Sequence, residues 1–265
     1  MLTKTLFKSA QDVIYNYLHL PFSGHDINCP YFNNERARAH AGLRALIGKG
    51  SVEDIIEETQ IIARRDKINL SVLTNEQLKQ FLVNNNIGLD CSALVYYVLD
   101  AELQARGLGP LKKWLKFPFA KNPLRKLLAQ LRPVENVGVN TFAHDSNSHA
   151  VSLSEIQPGD IIILLNTGQQ HNLNHILLVH EVNDLTVPSF SKEGLGGVHY
   201  THSFKWRTEG KYNHGVRQGI ITIIDPTKPL VNQIWEEQGK RGEENGTLEK
   251  AKLAERILVR RLNVS

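Results

Sequence analysis

The second half of this chain is written in strands and the first half in helices, and that order narrows the folds open to it. Pro158-Gly159-Asp160 makes a turn that runs straight into five apolar residues, Ile161-Ile162-Ile163-Leu164-Leu165. A polar stretch, 166–174, leads to His175-Ile176-Leu177-Leu178-Val179-His180-Glu181-Val182, a second apolar strand opened by a histidine. Segments 198–204 and 215–225 read as further strands, the latter closed by Asp-Pro, and Arg256–Leu262 as the last. Ahead of them lie helical patterns: an amphipathic one near the N-terminus, alanines and arginines at helical spacing over 34–46, and a capping-box start at 51–54. Another start at 74–77 ends in the Asn84-Asn85-Asn86 turn. Charged, helix-like sequence follows from Val231. The expectation is an α+β fold with an antiparallel sheet of about five or six strands packed on helices. It divides into a helical lobe (1–86), a core (87–230) with a basic insertion (106–132), and a charged helix with a terminal strand (231–265).

Between the two halves, Ile87-Gly88-Leu89-Asp90-Cys91-Ser92-Ala93-Leu94-Val95 turns from a polar corner into an apolar helix. Asp90 is the expected N-cap, and Leu94, Val95, Val98 and Leu99 supply the apolar face. Cys91, one of two cysteines, thus opens a helix. Unpaired backbone N–H groups and the positive end of the helix dipole favour the thiolate there. The structural alternative is a small buried cysteine at a helix start. His175 supplies the second element of a thiolate–imidazolium pair, since imidazole can hold the nucleophile's proton and return it to a leaving group.

Asp-Cys-Ser-x-Leu-Val at 90–95, Pro-Gly-Asp at 158–160 before an apolar strand, and His175 opening the next strand together resemble the NlpC-type cysteine peptidases. These are papain-like bacterial enzymes, many of which cut peptide or amide bonds in cell-wall peptidoglycan. The resemblance covers 91–225, and departs from the family in long intervals after Cys91 and after His175 and in a larger N-terminal part. It implies a papain-like fold, with the Cys91 helix packed on the sheet beside an N-terminal helical lobe. It assigns Cys91 and His175 to catalysis and expects a third polar residue on strand 198–204 to orient the imidazole. His202, followed by a small residue, fits that pattern. His199 is the alternative and faces the other way on a regular strand. Glu181 and Asn183, at the far end of the histidine strand, fit less well. The family's Pro-Tyr segment corresponds to Pro30-Tyr31, far ahead of Cys91. Tyr31, Ser92 and Asp90 are therefore candidate oxyanion or substrate contacts, with the Cys91 and Ser92 backbone N–H groups as donors in any case.

The resulting expectation is a cysteine hydrolase that cleaves an amide or peptide bond through a thioester. A peptide or cell-wall-type substrate is expected, peptidoglycan stem peptide first, and no cofactor. Two rivals remain: an inactive papain-like binding module for an anionic polymer, and a thiol acyltransferase. Among eleven histidines, His171 and His175 are four apart but fall in a loop-to-strand stretch, and neither Cys-x-x-Cys nor His-Glu-x-x-His occurs, so no metal site is expected. Cys29 precedes a proline and reads as structural. Two cysteines allow one disulfide at most, so a reduced, cytoplasmic chain is the simpler expectation. The N-terminus lacks the apolar core of a signal peptide, which leaves an unrecognised route if the protein is exported.

Segment 106–132 carries eight positive charges and no acidic residue, in a chain of net charge +4. Trp114, Phe117 and Phe119 are interleaved with Pro110, Pro118 and Pro123. One reading is a surface for an anionic polymer or membrane, without a dedicated nucleic-acid motif. The other is a solvated insertion pinned by its aromatics. Segment 185–197, with Pro188 and three glycines, is expected to rim the cleft. Trp206 is expected to pack in the core and Arg207 to line the groove.

Overall fold

The computed structural model describes residues 3–33, 43–168, 170–183 and 196–264. Residues 185–195 of the expected rim loop and most of the helix expected over 34–46 lie outside the described residues; Gly196 and Gly197 open a strand instead, and Arg44–Ile47 forms a 3-10 turn.

The chain is α+β. The described residues form eight α-helices and one antiparallel sheet of nine strands, ordered β2-β9-β3-β4-β5-β6-β7-β8, with β1 pairing the far end of β4. The strands are β1 (Thr3–Thr5), β2 (Ser148–Ala150), β3 (Ile161–Thr167), β4 (Leu173–Asn183), β5 (Gly196–Phe204), β6 (Gly215–Ile223), β7 (Ile234–Glu237), β8 (Lys240–Arg241) and β9 (Arg256–Leu262). Nine strands exceed the expected five or six because β1, β2, β7 and β8 are two to four residues long, too short for alternation to announce them. The helix expected from Val231 is also corrected. A 3-10 turn at Leu230–Asn232 leads into the β7–β8 hairpin, and the helix begins only at Gly246. Gln238 and Gly239 take φ of +52° and +70°, the left-handed pair that a two-residue hairpin turn demands.

Helix starts follow their caps. α1 (Lys8–Leu18) buries Ala10, Ile14 and Tyr17. α2 (Val52–Arg65) opens on a reciprocal capping box between Ser51 and Asp54, and α3 (Asn75–Asn84) on one between Thr74 and Gln77. α4 (Cys91–Ala105) is capped by Asp90, whose carboxylate accepts the Ala93 N–H. It is apolar almost all round, as befits a helix enclosed on every side: Leu94, Val95, Val98 and Leu99 are all buried. The remaining helices are α5 (Pro123–Leu131), α6 (Pro133–Asn136), α7 (Val139–Ala143) and α8 (Gly246–Lys252).

The sheet is buried on both faces. On one, α1 and α4 pack over Ile161, Ile163, Ile176 and Leu178, in an apolar cluster that runs from Leu6 to Leu262. On the other, Ile162, Leu164, Leu177, Val179 and Tyr200 meet Trp235, Leu248 and Ala251. His175 and His202 share the parity of this second face. Among the described residues, no helix is long and apolar enough to cross a membrane.

Candidate active site

Backbone pairing carries two distant segments to the start of α4. Leu89 N–H donates to the Pro30 carbonyl at 2.8 Å and Phe32 N–H to the Leu89 carbonyl at 3.2 Å, which bridges Tyr31 to Leu89. Lys49 bridges Leu89 on its other edge. Gly48, at φ +73°, makes that crossing possible: a Cβ there would strike the Phe32 carbonyl. Tyr31, Lys49, Asp90, Cys91, Ser92 and His175 consequently line one cleft of about 1070 Å³.

At the helix start, Asp90 Oδ1 accepts the Ala93 N–H at 2.7 Å and the Ser92 hydroxyl at 2.9 Å, while Oδ2 pairs with Lys49 at 2.7 Å. Lys49 Nζ also donates to Ser92 Oγ and to the Val137 carbonyl, each at 2.8 Å. Three acceptors thus surround the Lys49 ammonium, matching its three donors. The side chains of Asp90 and Ser92, candidates for oxyanion or substrate contact, are committed to holding the helix start. With the Ala93 N–H taken by Asp90, the Cys91 and Ser92 backbone N–H groups are the first-turn donors that remain at this position.

The expected resting thiolate is not what the environment favours. Burial pushes the Cys91 thiol up to about 12, and the Asp90 carboxylate adds to the rise. A backbone hydrogen bond from Ile176 and the cations Lys49 and Lys250 pull the other way without offsetting it. Asp90→Asn should keep the cap, since Asn and Asp are comparable N-caps, and remove the charge that disfavours the thiolate. The expected result is a Cys91 thiol that titrates lower in pH-dependent alkylation; an unchanged or higher titration contradicts this account.

His175, the third residue of β4, is buried, and burial holds it well below the ordinary histidine value, with His202, Lys250 and Arg217 contributing. Its Nε2 lies 2.7 Å from His202 Nδ1, and His202 Nε2 lies 3.1 Å from Glu237 Oε2. Tyr200 Oη donates to the same carboxylate oxygen at 2.7 Å and Thr247 Oγ1 at 2.9 Å, while Arg217 Nη1 stands 3.6 Å from Oε1. Burial opposes ionisation of Glu237, but His202, Tyr200 and Arg217 outweigh it and hold the carboxyl below its usual range.

An ionised Glu237 accepts, so His202 carries its proton on Nε2 and presents a lone pair at Nδ1. His175 then donates through Nε2, and its Nδ1 is left as the ring's basic atom. The Ile176 amide that acts on the Cys91 sulfur belongs to the residue after His175 on β4, and thiol and imidazole line the same cleft. No hydrogen bond joins Cys91 to His175 among the described residues. The arrangement can stabilise an imidazolium at His175 through two further groups, His202 and Glu237.

No family model, curated protein or solved structure matches this chain.

The other candidates sort by face. His199 is not at the site: its Nε2 meets the Asn183 side chain at 3.1 Å and Glu181 at 3.6 Å, across the sheet from His202. The alternation of side chains along β5 separates the two histidines, as its parity requires. Glu181 and Asn183 stay with His199. His171 Nδ1 lies 2.9 Å from the Asn166 carbonyl, and no metal-holding group of three or more His, Cys, Asp or Glu occurs among the described residues. Cys29 is fully buried, its thiol pushed up to about 12 by burial, and both cysteines are free thiols. Trp206 is buried, donating to Thr247 Oγ1 at 3.0 Å, and Arg207 pairs with Glu249 at 3.3 Å on the cleft wall.

Glu237 and Lys250 are the two site residues that sequence reasoning missed. Lys250 comes from α8 and lies 4.9 Å over the Phe204 ring, close enough for its charge to act on both Cys91 and His175. The Gln-Gly hairpin turn was the available signal for β7, and hence for Glu237.

Tyr31 is held by its backbone, whose N–H donates to His214 Nδ1 at 3.2 Å. That bond needs an unprotonated nitrogen, and burial holds His214 at about 4. His180 is likewise held at about 4 by burial. Both folded-state values lie below the unfolded one, so their contribution is intact above about pH 6.5 and is lost as pH falls toward 4. Stability measured by denaturant unfolding should therefore drop by up to about 1.4 kcal/mol per pH unit per histidine across that window. A flat profile between pH 7 and 4.5, in the wild type and in His180→Gln alike, would contradict the assignment.

Proposed function

We propose that this protein is a papain-like cysteine hydrolase of the NlpC type that cleaves amide or peptide bonds. The observation that carries the reading is the buried chain from His175 to His202 to Glu237, which leaves His175 Nδ1 basic in the cleft that holds Cys91. Such a chain has little purpose in a merely structural core, where unpaired imidazole and buried carboxylate are costs.

In the proposed reaction, substrate enters and the Cys91 proton passes to His175 Nδ1 as the sulfur attacks the carbonyl carbon. Backbone N–H groups at the start of α4 receive the oxyanion. His175 then gives its proton to the departing amine nitrogen, the C–N bond breaks, and a thioester remains. Water attacks the thioester, giving one proton to His175, and the acid leaves as the thiol is restored. His202 and Glu237 hold the imidazole and balance its charge; they touch no reacting atom. The raised resting pKa of Cys91 fits a thiol activated by proton transfer during attack.

The cleft suits a hydrated, polar chain. Asn140, Gln170, Asn172 and Asn174 line it with amides, and Lys205 and Arg207 add positive charge. A peptide bearing carboxylates fits that wall, and peptidoglycan stem peptide is the first substrate to test. Purified protein should release a new amine from stem-peptide fragments, with a thioester trapped on Cys91 in intact mass spectra, and Cys91→Ala should do neither. Transfer to an added amine in preference to water would assign an acyltransferase. Failure to cleave any peptide or to form an adduct at Cys91 would leave the fold without this chemistry.

A further inference from the structure

The geometry points to α5 as an anchor that lays this protein on an anionic lipid bilayer. This inference does not depend on the chemistry proposed for Cys91. The helix Pro-Leu-Arg-Lys-Leu-Leu-Ala-Gln-Leu is capped by Asn122, whose side chain accepts the Arg125 N–H, and starts with proline at its first position. Leu124, Leu127, Leu128 and Leu131 follow the i, i+3, i+4, i+7 spacing that gathers side chains onto one stripe. In most amphipathic helices that stripe is the buried one. Here the four leucines are 66, 57, 48 and 67 % exposed, and the residue that α5 buries is Ala129. At about 100° per residue, Ala129 lies on the side away from the centre of the stripe. The helix is thus seated on the body by its small residue and turns its leucines outward.

Charge decides what covers them. Lys112, Lys113, Lys116, Lys121, Arg125 and Lys126, on α5 or just ahead of it in the chain, are all exposed, and none is in an ion pair among the described residues. The segment from 106 to 132 contains no acidic residue at all. A nucleic acid or anionic wall polymer would satisfy the cations and leave four leucines in water. A neutral apolar partner would cover the leucines and strand the cations. An interface of acyl chains beneath anionic headgroups satisfies both at once, which is the arrangement of helices that lie in the plane of a membrane surface. Trp114 and Phe117 pack inward against the main apolar cluster, so they brace the segment against the body. The cleft wall at Val137, Gly138, Val139 and Asn140 follows soon after α5 in the chain.

The test is vesicle co-sedimentation of the full chain with phosphatidylcholine alone and with phosphatidylcholine plus phosphatidylserine, at low and physiological ionic strength. Binding is expected to the serine-containing vesicles only. Leu127→Glu with Leu131→Glu should weaken it by at least about tenfold, since two exposed leucines lose their apolar contact. Lys121→Glu, Arg125→Glu and Lys126→Glu should each weaken it by about fivefold or more and flatten its salt dependence. These positions are exposed, so Cys29 should remain protected from alkylation in every variant, which checks that the fold is intact. Binding that ignores the leucine change would reduce the segment to a polycationic surface and overturn the proposal. So would no binding to anionic vesicles, or a dimer in sedimentation that the leucine variant converts to monomer.

Discussion

His175→Ala should slow modification of Cys91 by a small haloacetamide at neutral pH by at least about 10²-fold, the lower end of what a positioned base contributes. The argument is one of proton accounting. Cys91 is buried and its thiol is pushed up to about 12, so water offers little help in removing the proton. His175 Nδ1 is the atom of the same cleft left with a lone pair by the tautomers that Glu237 and His202 impose. Proton transfer to it creates an ion pair with no net charge, which the helix start, Lys49 and the Glu237 carboxylate can each stabilise on one side or the other. Without His175 the thiolate must form alone. Peptide mass spectrometry should read Cys91 and Cys29 together, because Cys29 is fully buried and reports any general opening of the fold. Equal Cys91 rates in wild type and variant would remove the support for a paired thiol.

Glu237→Ala should destabilise the protein by about 3–5 kcal/mol, the range seen when one partner of a buried ion pair is deleted. The Glu237 side chain is fully buried, and it meets Arg217, whose side chain is 2 % exposed, as well as His202. Removing the carboxylate leaves the guanidinium with Glu209 alone as its partner, and leaves His202, Tyr200 and Thr247 with buried donors to rehouse. Gly219 shows how tightly the group is built in, since a Cβ there would collide with the Tyr200 hydroxyl. Glu237→Gln separates stability from chemistry. It preserves shape and an acceptor oxygen but removes the charge that steadies a protonated His202–His175 pair. Its Cys91 alkylation profile should move to higher pH, while Cys29 stays protected. A Gln variant with the wild-type profile would reduce Glu237 to a packing role.

What could be read from the sequence tracks the range of each signal. The helix starts at Ser51, Thr74 and Asp90 were legible because a cap is a local event, settled within four residues. The strand carrying His175 was legible because its apolar run is long, the one carrying His202 because Val, Tyr, Thr and Phe recur along it, and period-two geometry already put His202 and His199 on opposite faces. Glu237 was not legible. Its strand is four residues long, its neighbours Glu236 and Gln238 are polar, and the carboxylate owes its place to β6, β5 and a threonine on α8 rather than to its own segment. The protonation of Cys91 was misjudged for a related reason. The helix dipole is written in the sequence, but the depth to which the first turn sinks depends on the whole sheet and on segments 29–32 and 48–50. The basic segment was read by its charge and its prolines, yet Pro123 initiates a helix instead of breaking one.

The place of β9 in the sheet has a consequence for biosynthesis. It lies between β2 and β3, both of which leave the ribosome long before it does. Until Arg256–Leu262 arrives, β3 offers the open edge of an apolar strand, Ile161 to Leu165, to any neighbouring chain. Folding from the N-terminus can therefore assemble the helices and the Cys91 start early, but cannot seal the sheet. Nascent chains that stall or are clipped ahead of Arg256 would expose a sticky edge, which makes β9 the latch that closes the sheet over β3.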